Sequence, residues 1–553
     1  MIALLLAAAL WWSVESTLDE SLENGIFRLK MRSDAPVEVM YQLLDKDGSA
    51  VADALYRFSG EVDTVPDVIP GVRRWTAETP ELYTLLLRVD GEYTRYAVGF
   101  RRLELKGNQF LVNGKPVKFK SVNYHGHNPD SGRYQTRRNI LEDLRLMKQA
   151  NINTIYTGHY PQSRELCQLC DSLGFYVFDG ADGKFSYNDI VGPDRRPYPA
   201  FWEVKHQYQY IAVRRSGDGF EVFNRKYFTP LDCKMRWWVE RDGRRIRRGK
   251  VRLWAAPQDV QPLSLRLPRM KKPGEYRLFF ETPLSCDEFL LATVPGKPAK
   301  AIPSQGEAVN GDTRLVLRNR KAELVFDKVS GVIVSYSVRG KDMVQERFGI
   351  RTGFWSAPTD NDRVNGLPQR AAAWKDAVKK VRTDVRGGVI SALYTLPGGA
   401  SMRAEYALLE NGALHVSVAF KGGSGAIELP CLGYSFRVPE DQFTYFGRGP
   451  VANYRDRLCG TFRSVWECTQ ESGHHTETSW LRIGGMKVQA GASGPFEFNA
   501  LRRSVEDLDQ GLMPERDFTE VCIDYGITGV GDYSWDFTIT PVRKAWPFRR
   551  KRV

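Results

Sequence analysis

Two histidines in the first half of the chain have a spacing that could support metal binding. His125 and His127 lie two residues apart in VNYHGHNP, at the end of a predicted strand, so both side chains point to one face. Imidazole is a common zinc ligand, but a zinc site needs further ligands and the sequence offers no clear third one. Ordered polar turn residues are therefore the favoured interpretation, and zinc binding is the alternative.

Cys167 and Cys170 form a CxxC pair in ELCQLCDSLG. The same segment carries Leu166, Leu169 and Leu173, which is the spacing of an amphipathic helix. No second Cys/His pair completes a metal or redox site, and the 8 cysteines follow no disulfide framework. The pattern favours packing over redox or metal chemistry.

Two other polar clusters carry weaker signals. His474 and His475 in SGHHTETSW are predicted to lie in a surface loop of a β-rich region. The run Asp360–Asn361–Asp362 is interpreted as a structural polar loop. Neither cluster predicts a reaction.

The elements that must position His125 and His127 are predicted from the hydrophobic periodicity, which changes along the chain. Residues 24–101 alternate in the manner of strands, with Asp-Gly marking a hairpin. A second hairpin turns at Asn113 and Gly114, followed by a predicted strand from Val117 to Asn123. Next comes a helix in TRRNILEDLRLMKQANIN, where Ile140, Leu144 and Met147 recur at helical spacing. A strand in NTIYTGHY, a helix ending at Gly174 and a strand in FYVFD follow. This βαβαβ order is typical of a parallel sheet.

After residue 203 strand patterns return and continue to the end of the chain, without a convincing long helix. The preceding RRPYPAF is predicted to be an exit loop into another domain. The expected fold is mostly β and multidomain, with β-sandwiches on both sides of one α/β segment.

Composition excludes some functions. The net charge of +13 over 553 residues has two clusters, RDGRRIRRGKVR around an Asp-Gly turn and the tail FRRKRV. No recognised binding module accompanies them, so nucleic acid is not a predicted partner. The first 12 residues are apolar and too few to span a bilayer, so no membrane partner is predicted. They lack a positive n-region, so the location stays open, with the cytoplasm slightly favoured over secretion.

Several phrases resemble glycoside hydrolase family 2 β-galactosidases, in the order in which that family has them. They are RRWTAETPELYTLLL, FLVNGKPVKFKSVNYHGHNP, LMKQANINTIYTGHYP, LCDSLGFYVFD, RRPYPAFWEVKHQYQ, FWSAPTDND, FGRGPVANYRDR and YGITGVGDYSW. The resemblance implies immunoglobulin-like β-sandwiches, a (β/α)8 barrel and a large C-terminal β-sandwich. The implied boundaries are 1–14 for an apolar leader, 15–102 for an immunoglobulin-like sandwich, 103–202 for the barrel, 203–299 for a second such sandwich, 300–543 for the large β-sandwich and 544–553 for a basic tail.

The barrel segment is too short for that architecture. A (β/α)8 barrel takes about 250 residues, whereas Leu103 to Tyr198 holds fewer than 100, with about three strands. The family's N-terminal jelly roll has no counterpart either. Retaining hydrolysis needs an acid/base carboxyl and a nucleophilic carboxylate about 5–5.5 Å apart. The family's two catalytic Glu lie on barrel strands that no segment here matches, so a truncated barrel remnant is expected.

The resemblance also bears on the family's metals, magnesium and sodium. Its magnesium ligands come from a Glu-x-His after the third strand and from the acid/base Glu, but this chain reads ADGKF there. Gly180 replaces a usual acidic residue. Phe185 and Asn188 match the sodium-site loop, so a sodium site is the only metal match and no cofactor is firmly predicted.

Four residues match positions that contact the sugar in the family: His125, His159, Asn188 and Trp535. A core position for Trp535 is an equally good interpretation. No catalytic residue is assigned. Asp179 and Asp182 are weak candidates for a replacement pair, because they are the carboxylates at the end of the third strand.

The sequence therefore predicts a β-galactosidase lineage whose chain is inactive. One alternative is a carbohydrate-binding or scaffolding protein that keeps the β domains. Another is an active enzyme's gene product that was shortened by a deletion or an erroneous gene structure. Predicted partners are β-galactosides or galactose, bound weakly, and a second copy of the chain in a homo-oligomer, since unpaired barrel strands expose edges.

Overall fold

The computed structural model describes most of the chain, and all structural statements below concern that part. The described residues are 10–64, 66–89, 91–157, 163–178, 190–192, 194–296, 302–345, 347–355, 363–424, 429, 431–469, 473–503, 515–526 and 531–542. The chain divides into two compact units. Unit 1 holds 1–237, 249–266 and 280–287, and unit 2 holds 238–248, 267–279 and 288–553.

Unit 1 begins with a β domain built around one long strand. Its strands are β1 (Leu10–Leu18), β2 (Gly25–Leu44), β3 (Ala50–Asp63), β4 (Asp67–Ile69), β5 (Tyr83–Val89) and β6 (Glu92–Val98). β2 pairs with β1, β3, β4 and β5, all antiparallel. Along β2 every second residue is buried in its first half, from Gly25 to Ser33, as expected for a strand with one face on a core.

The predicted leader boundary at residue 14 is wrong. β1 starts at Leu10 and runs antiparallel to β2 over its whole length. Trp12 and Val14 pack against the core of this domain, because alternation in LWWSVES places them on the same face of the strand. Residues 1–9 lie outside the described part of the chain.

The α/β segment has the predicted βαβαβ order. Its elements are β7 (Leu103–Lys106), β8 (Gln109–Val112), β9 (Lys115–Pro116), β10 (Ser121–Asn123), α1 (Arg137–Gln149), β11 (Thr154–Tyr156), α2 (Arg164–Leu173), β12 (Tyr176–Phe178) and α3 (Pro199–Gln207). β10, β11 and β12 form a parallel sheet in that order. The described residues therefore contain three parallel strands of the implied barrel.

Local signals explain the two predicted helices. Thr136 caps the start of α1, where its side chain accepts from the backbone N–H of Asn139. Ser163 caps α2 in the same way, and Gly174 ends it at φ 76°. Ile140 and Leu144 of α1 are buried against this segment's core, so the predicted periodicity is confirmed.

Two local predictions in this segment are wrong. The strand predicted from Val117 to Asn123 is present only over Ser121–Asn123, because residues 117–120 make no ladder after the β8–β9 hairpin. RRPYPAF does not form a plain exit loop, since Pro199 opens α3 and Phe201 is buried. A proline at the first helical position loses no intrahelical hydrogen bond, so YPAF is compatible with a helix start.

The next segment is all β and its residues are divided between the two units. Its strands are β13 (Ile211–Ser216), β14 (Gly219–Asn224), β15 (Leu231–Arg241), β16 (Arg244–Ala255), β17 (Val260–Leu263), β18 (Gly274–Thr282) and β19 (Ser285–Val294). The sheets have the orders β13-β14-β17 and β16-β15-β18-β19. Asp242 and Gly243 turn between β15 and β16, both at positive φ, so the basic cluster is a hairpin as predicted.

Most of unit 2 is a large antiparallel β domain. Its strands are β20 (Glu307–Asn310), β21 (Arg314–Arg318), β22 (Ala322–Asp327), β23 (Val332–Val338), β24 (Lys341–Asp342), β25 (Arg351–Gly353), β26 (Lys380–Arg386), β27 (Val389–Thr395), β28 (Ser401–Leu408), β29 (Leu414–Lys421), β30 (Gly433–Val438), β31 (Gln442–Gly449), β32 (Phe462–Thr469), β33 (His474–Thr478), β34 (Trp480–Ile483), β35 (Met486–Ala490), β36 (Phe496–Arg503), β37 (Glu515–Asp524) and β38 (Tyr533–Pro541). Short helices are α4 (Leu367–Arg370), α5 (Ala372–Lys375) and a 3₁₀ turn, Pro397–Gly399.

Three sheets enclose one continuous core in this domain. Their orders are β20 to β24 in sequence, β25-β30-β37-β36-β33, and β26-β27-β28-β29-β38-β35-β34-β31-β32. Inside the core the hydroxyls of Tyr394, Tyr406 and Tyr434 form a chain with oxygen separations of 2.8 and 3.1 Å. The mostly β, multidomain fold with a short α/β segment is as predicted. Among the described residues, none of the helices combines the length and apolar character that crossing a bilayer requires.

Candidate functional site

The candidate site lies where the parallel strands end. The register places Asn123, Tyr156 and Phe178 side by side at the carboxyl ends of β10, β11 and β12. In α/β barrels this edge carries the active site, because the loops after the strands meet there. The segment after β10 is described, and it holds His125 and His127.

The loops after the other two strands lie outside the described residues. They contain His159 at 158–162, and Asp179, Asp182, Phe185 and Asn188 at 179–189. The predicted sugar, sodium and replacement-catalyst roles of these residues therefore stay predictions.

A cavity of about 130 Å³ opens beside β10. Its walls are residues 122–127, side chains of α1 and its following turn, residues 190–192 and Phe201. Both predicted histidines line it. His125 is half-buried and His127 is exposed.

The one carboxylate among the described lining residues is Asp143 on α1. Its Oδ2 accepts a hydrogen bond of 3.0 Å from the Tyr124 hydroxyl, and its Oδ1 lies 2.8 Å from the Arg195 guanidinium. Burial raises the pKa of Asp143, while Arg195 and Tyr124 oppose that rise. Burial, followed by the neighbouring Asp143 charge, raises the pKa of Tyr124. Asp143 is thus held as the centre of an ion-pair network against the cavity wall.

Trp535 lies on β38 in the core of unit 2 and is 4 % exposed. Its ring stacks on Phe537 at 5.0 Å between centroids and contacts Tyr434 at 6.2 Å. Its indole Nε1 is buried without a hydrogen-bond partner among the described residues. Trp535 is thus a core residue among the described residues of unit 2, and its predicted sugar contact stays a prediction.

The packing interpretation of the CxxC pair agrees with the structure. Cys170 is buried between Leu166 and Leu169 in the core of the α/β segment, whereas Cys167 is exposed. Burial raises the pKa of the Cys170 thiol to about 12, so the thiolate that redox or metal chemistry requires is disfavoured.

The predicted surface loop at His474 and His475 is wrong, since both begin β33. His475 is 1 % exposed, its Nδ1 lies 2.9 Å from the Tyr445 hydroxyl, and burial lowers its pKa to about 3. His474 Nε2 lies 2.6 Å from Glu497 Oε2. The polarity of SGHHTETSW suggested a loop, but β33 pairs with β36 and both rings have polar partners.

Glu497 and Asp524 complete this cluster in unit 2. Burial raises the pKa of Asp524 to about 7. Burial also acts to raise the pKa of Glu497, but His474 and Arg455 outweigh it and the pKa is lowered. Sequence reasoning missed the cluster because its members come from three separated segments, and only knowledge of the strand pairing brings them together.

Three family models match the chain in succession. They are described as glycosyl hydrolases family 2 over residues 9–101, glycosyl hydrolases family 2, TIM barrel domain over 103–184, and beta galactosidase small chain over 318–546. The TIM-barrel match stops at residue 184, where the described α/β segment has supplied three strands.

Curated relatives are β-galactosidases. The enzyme of Halalkalibacterium halodurans is 23% identical over 765 positions, covering 94% of this chain and 75% of the relative. The enzyme of Actinobacillus pleuropneumoniae is 36% identical over 171 positions, covering 31% of this chain and 16% of the relative. Among solved structures, a β-glucuronidase from Ruminococcus gnavus is 24% identical with a TM-score of 0.28, covering 31% of this chain and 29% of that one. The chain thus spans less than a third of that structure.

The alignment with the Halalkalibacterium halodurans enzyme leaves many of its positions unmatched. It runs over 765 positions, whereas 94% of 553 residues is about 520. About 245 aligned positions of the relative therefore have no residue in this chain. Taken together, these positions are close in number to the residues of a (β/α)8 barrel, which is about 250.

Proposed function

This chain belongs to glycoside hydrolase family 2, and we propose that it is a β-galactosidase-like protein that keeps part of a sugar-binding surface without the catalytic centre. The reaction of its lineage is hydrolysis of terminal non-reducing β-D-galactose residues in β-galactosides, with retention. The observation that carries the proposal is the cavity beside β10. It holds His125 and His127, while its one described carboxylate, Asp143, is already paired with Arg195.

The described groups of this cavity do not include the carboxylate pair that retaining hydrolysis needs. One carboxylate must attack the anomeric carbon and a second must protonate the leaving oxygen, at a separation of about 5–5.5 Å. Asp143 contacts Tyr124 through Oδ2 and Arg195 through Oδ1, so both of its oxygens already have partners. The histidines can hydrogen-bond hydroxyl groups and hold a sugar ring in place.

The family's metals enter this proposal only as predictions. The magnesium ligands do not fit, because ADGKF stands where the family has Glu-x-His and the acid/base Glu has no match. Phe185 and Asn188 retain the sodium-site match, in a segment outside the described residues. No step of the proposed binding function requires either ion.

Two alternatives remain from other classes. A carbohydrate-binding or scaffolding protein uses the β domains alone, and a shortened gene product of an active enzyme has lost a coding segment. Sequencing the locus and its transcript separates them. A missing in-frame segment that carries two Glu supports the shortened-product alternative, and a contiguous reading frame excludes it.

Galactose is expected to bind with millimolar affinity. A few hydrogen bonds, each with a net contribution of about 1 kcal/mol, support a dissociation constant on the order of 1 mM, equivalent to roughly 4 kcal/mol. NMR titration should shift the His125 ring signals, and His125→Gln should weaken binding severalfold. His415→Gln is the control, since that ring contacts Thr538 in unit 2. Unshifted His125 signals at millimolar galactose, well above the expected dissociation constant, would contradict galactose binding in this cavity.

The protein is expected to self-associate through the open side of the parallel sheet. Within the described residues β12 pairs with β11 alone, and Phe178 on it is 39 % exposed. Unpaired strands and exposed aromatic side chains favour pairing with another chain. Phe178→Lys should increase the monomer fraction in sedimentation velocity. Val329→Lys, at a turn residue that is 76 % exposed, is the charge-matched control and should change nothing. A monodisperse wild-type monomer contradicts the expectation.

A further inference from the structure

We propose that His474, Glu497 and Asp524 form a binding site for a divalent transition-metal ion of the zinc type in the large β domain. His474 Nε2 and one carboxylate oxygen each from Glu497 and Asp524 lie within 4.8 Å of one another. Zinc bonds of about 2.0–2.1 Å place tetrahedral ligands about 3.4 Å apart. The three atoms therefore need only small side-chain rotations to surround one ion.

The three ligands stand on adjacent strands of one sheet. β37, β36 and β33 are neighbours in the sheet order, with Glu497 directly opposite Asp524 and His474 directly opposite Asn499. Glu497 and Asn499 are two residues apart, so all four side chains lie on the same face. A site on three paired strands is more rigid than one on loops, and rigidity favours a fixed coordination geometry.

The charges of this face are compatible with a bound divalent cation. Two carboxylates placed directly opposite each other on paired strands repel, and both are almost completely buried, at 5 % and 4 % exposure for Glu497 and Asp524. Arg455 Nε donates to Glu497 Oε1 at 2.5 Å, which offsets one of the two charges and leaves Oε2 facing His474. Burial acts to lower the pKa of His474, but the hydrogen bond to Glu497 and the two carboxylate charges outweigh it, so the pKa is raised and the metal-free cluster favours a protonated imidazole. A bound divalent ion would supply that positive charge in its place, with His474 neutral.

The surroundings of His474 suit a metal-bound imidazole. Asn499 lies 3.2 Å from its Nδ1, and the carbonyl oxygen of that amide can accept an Nδ1–H bond after a half-turn of the side chain. Tyr454 stacks on the ring at 5.3 Å between centroids and is itself 41 % exposed. The His474 side chain is 12 % exposed, so the cluster lies just beneath the surface and an ion can reach it.

The donor set points to zinc rather than magnesium. One imidazole nitrogen and two carboxylate oxygens match the mixed ligands that zinc accepts, with water in the remaining position. Magnesium prefers an all-oxygen octahedron. A bound zinc ion here would link three strands and stabilise the large β domain against unfolding, because it binds the folded state alone.

The test compares zinc stoichiometry in the full chain and its variants. Protein stripped with a chelator is dialysed against micromolar zinc chloride, and bound zinc is measured by elemental analysis. The wild type should bind one more ion per chain than His474→Gln or the isosteric Asp524→Asn. His415→Gln, an imidazole of the same domain outside the cluster, should match the wild type. The difference between variants matters because 8 cysteines could bind zinc elsewhere.

Cobalt(II) gives an independent spectroscopic readout. Four-coordinate cobalt in the site should produce visible absorption in the wild type and in His415→Gln, and zinc should displace it. Far-UV circular dichroism identifies any variant that fails to fold, and Asp524→Asn preserves side-chain volume for that reason. Equal zinc content in the wild type and both folded cluster variants overturns the proposal, as does absence of bound zinc in the wild type. Either result leaves an ion-pair network in which protonated His474 supplies the second positive charge.

Discussion

Purified protein is expected to hydrolyse a nitrophenyl β-D-galactoside no faster than buffer does. A positioned general acid alone contributes roughly 10²–10⁴-fold to the rate, and the covalent nucleophile opens a pathway that water lacks. Residues of one catalytic unit act together, so losing both forfeits most of an enhancement that is about 10⁶-fold or more in ordinary enzymes. The cavity beside β10 offers only Asp143 among its described residues, and that carboxylate is bonded to Arg195 and Tyr124.

The assay also needs variants that test whether other carboxylates act in place of the missing catalytic pair. Asp179→Asn and Asp182→Asn remove the two carboxylates that follow β12 in the sequence, and all three proteins should give background rates. A full-length β-galactosidase relative serves as the positive control for substrate and buffer. Robust turnover by the wild type that either substitution abolishes would contradict the proposal and assign the chemistry to this pair.

Periodicity predicted the elements around the candidate site well. The helical spacing of Ile140, Leu144 and Met147 predicted α1 correctly, and Gly174 predicted the end of α2. Both predictions succeeded because caps and apolar spacing are local properties of the chain. Hairpins at Asn113-Gly114 and Asp242-Gly243 were equally local. The parallel order of β10, β11 and β12 followed from strand–helix alternation.

Features that depend on distant strands could not be predicted in this way. SGHHTETSW has no apolar residue before its final Trp480, yet β33 pairs with β36 and buries His475 against Phe498. Glu497 and Asp524 are ordinary acidic residues in sequence, and only the β36–β37 register places them opposite each other. Trp535 gave no local signal that separates a core ring from an exposed one, since both occur on alternating strands. Tertiary pairing decided each case.

The same dependence on distant partners makes Glu78 the residue whose loss should destabilise unit 1 most clearly. Its carboxylate accepts from the backbone N–H groups of Tyr227, Phe228 and Thr229 at 2.7, 3.0 and 2.9 Å. It also accepts from the Thr229 hydroxyl at 2.9 Å. A single charged side chain therefore satisfies three successive amides in the connection that leads from β14 to β15.

Glu78→Ala leaves those amides without their acceptor. A part-buried amide that loses a charged partner costs about 1–3 kcal/mol, and water that enters the gap recovers some of it. The expected loss in the free energy of unfolding is therefore roughly 2–5 kcal/mol for three amides. Glu78→Gln should fall between Ala and the wild type, because one oxygen still accepts while its amide nitrogen faces a donor.

Hydrogen exchange measures this at the bonds themselves. The amides of Tyr227, Phe228 and Thr229 should lose at least tenfold in protection in Glu78→Ala, since 1.4 kcal/mol corresponds to about tenfold in an opening equilibrium. Glu81→Ala is the matched control three residues on, where the carboxylate lies 4.0 Å from Arg73 near the surface. An exposed pair of that kind contributes less than about 1 kcal/mol. Unchanged protection of the three amides in Glu78→Ala would show that the connection is held by its packing and that the carboxylate adds nothing to it.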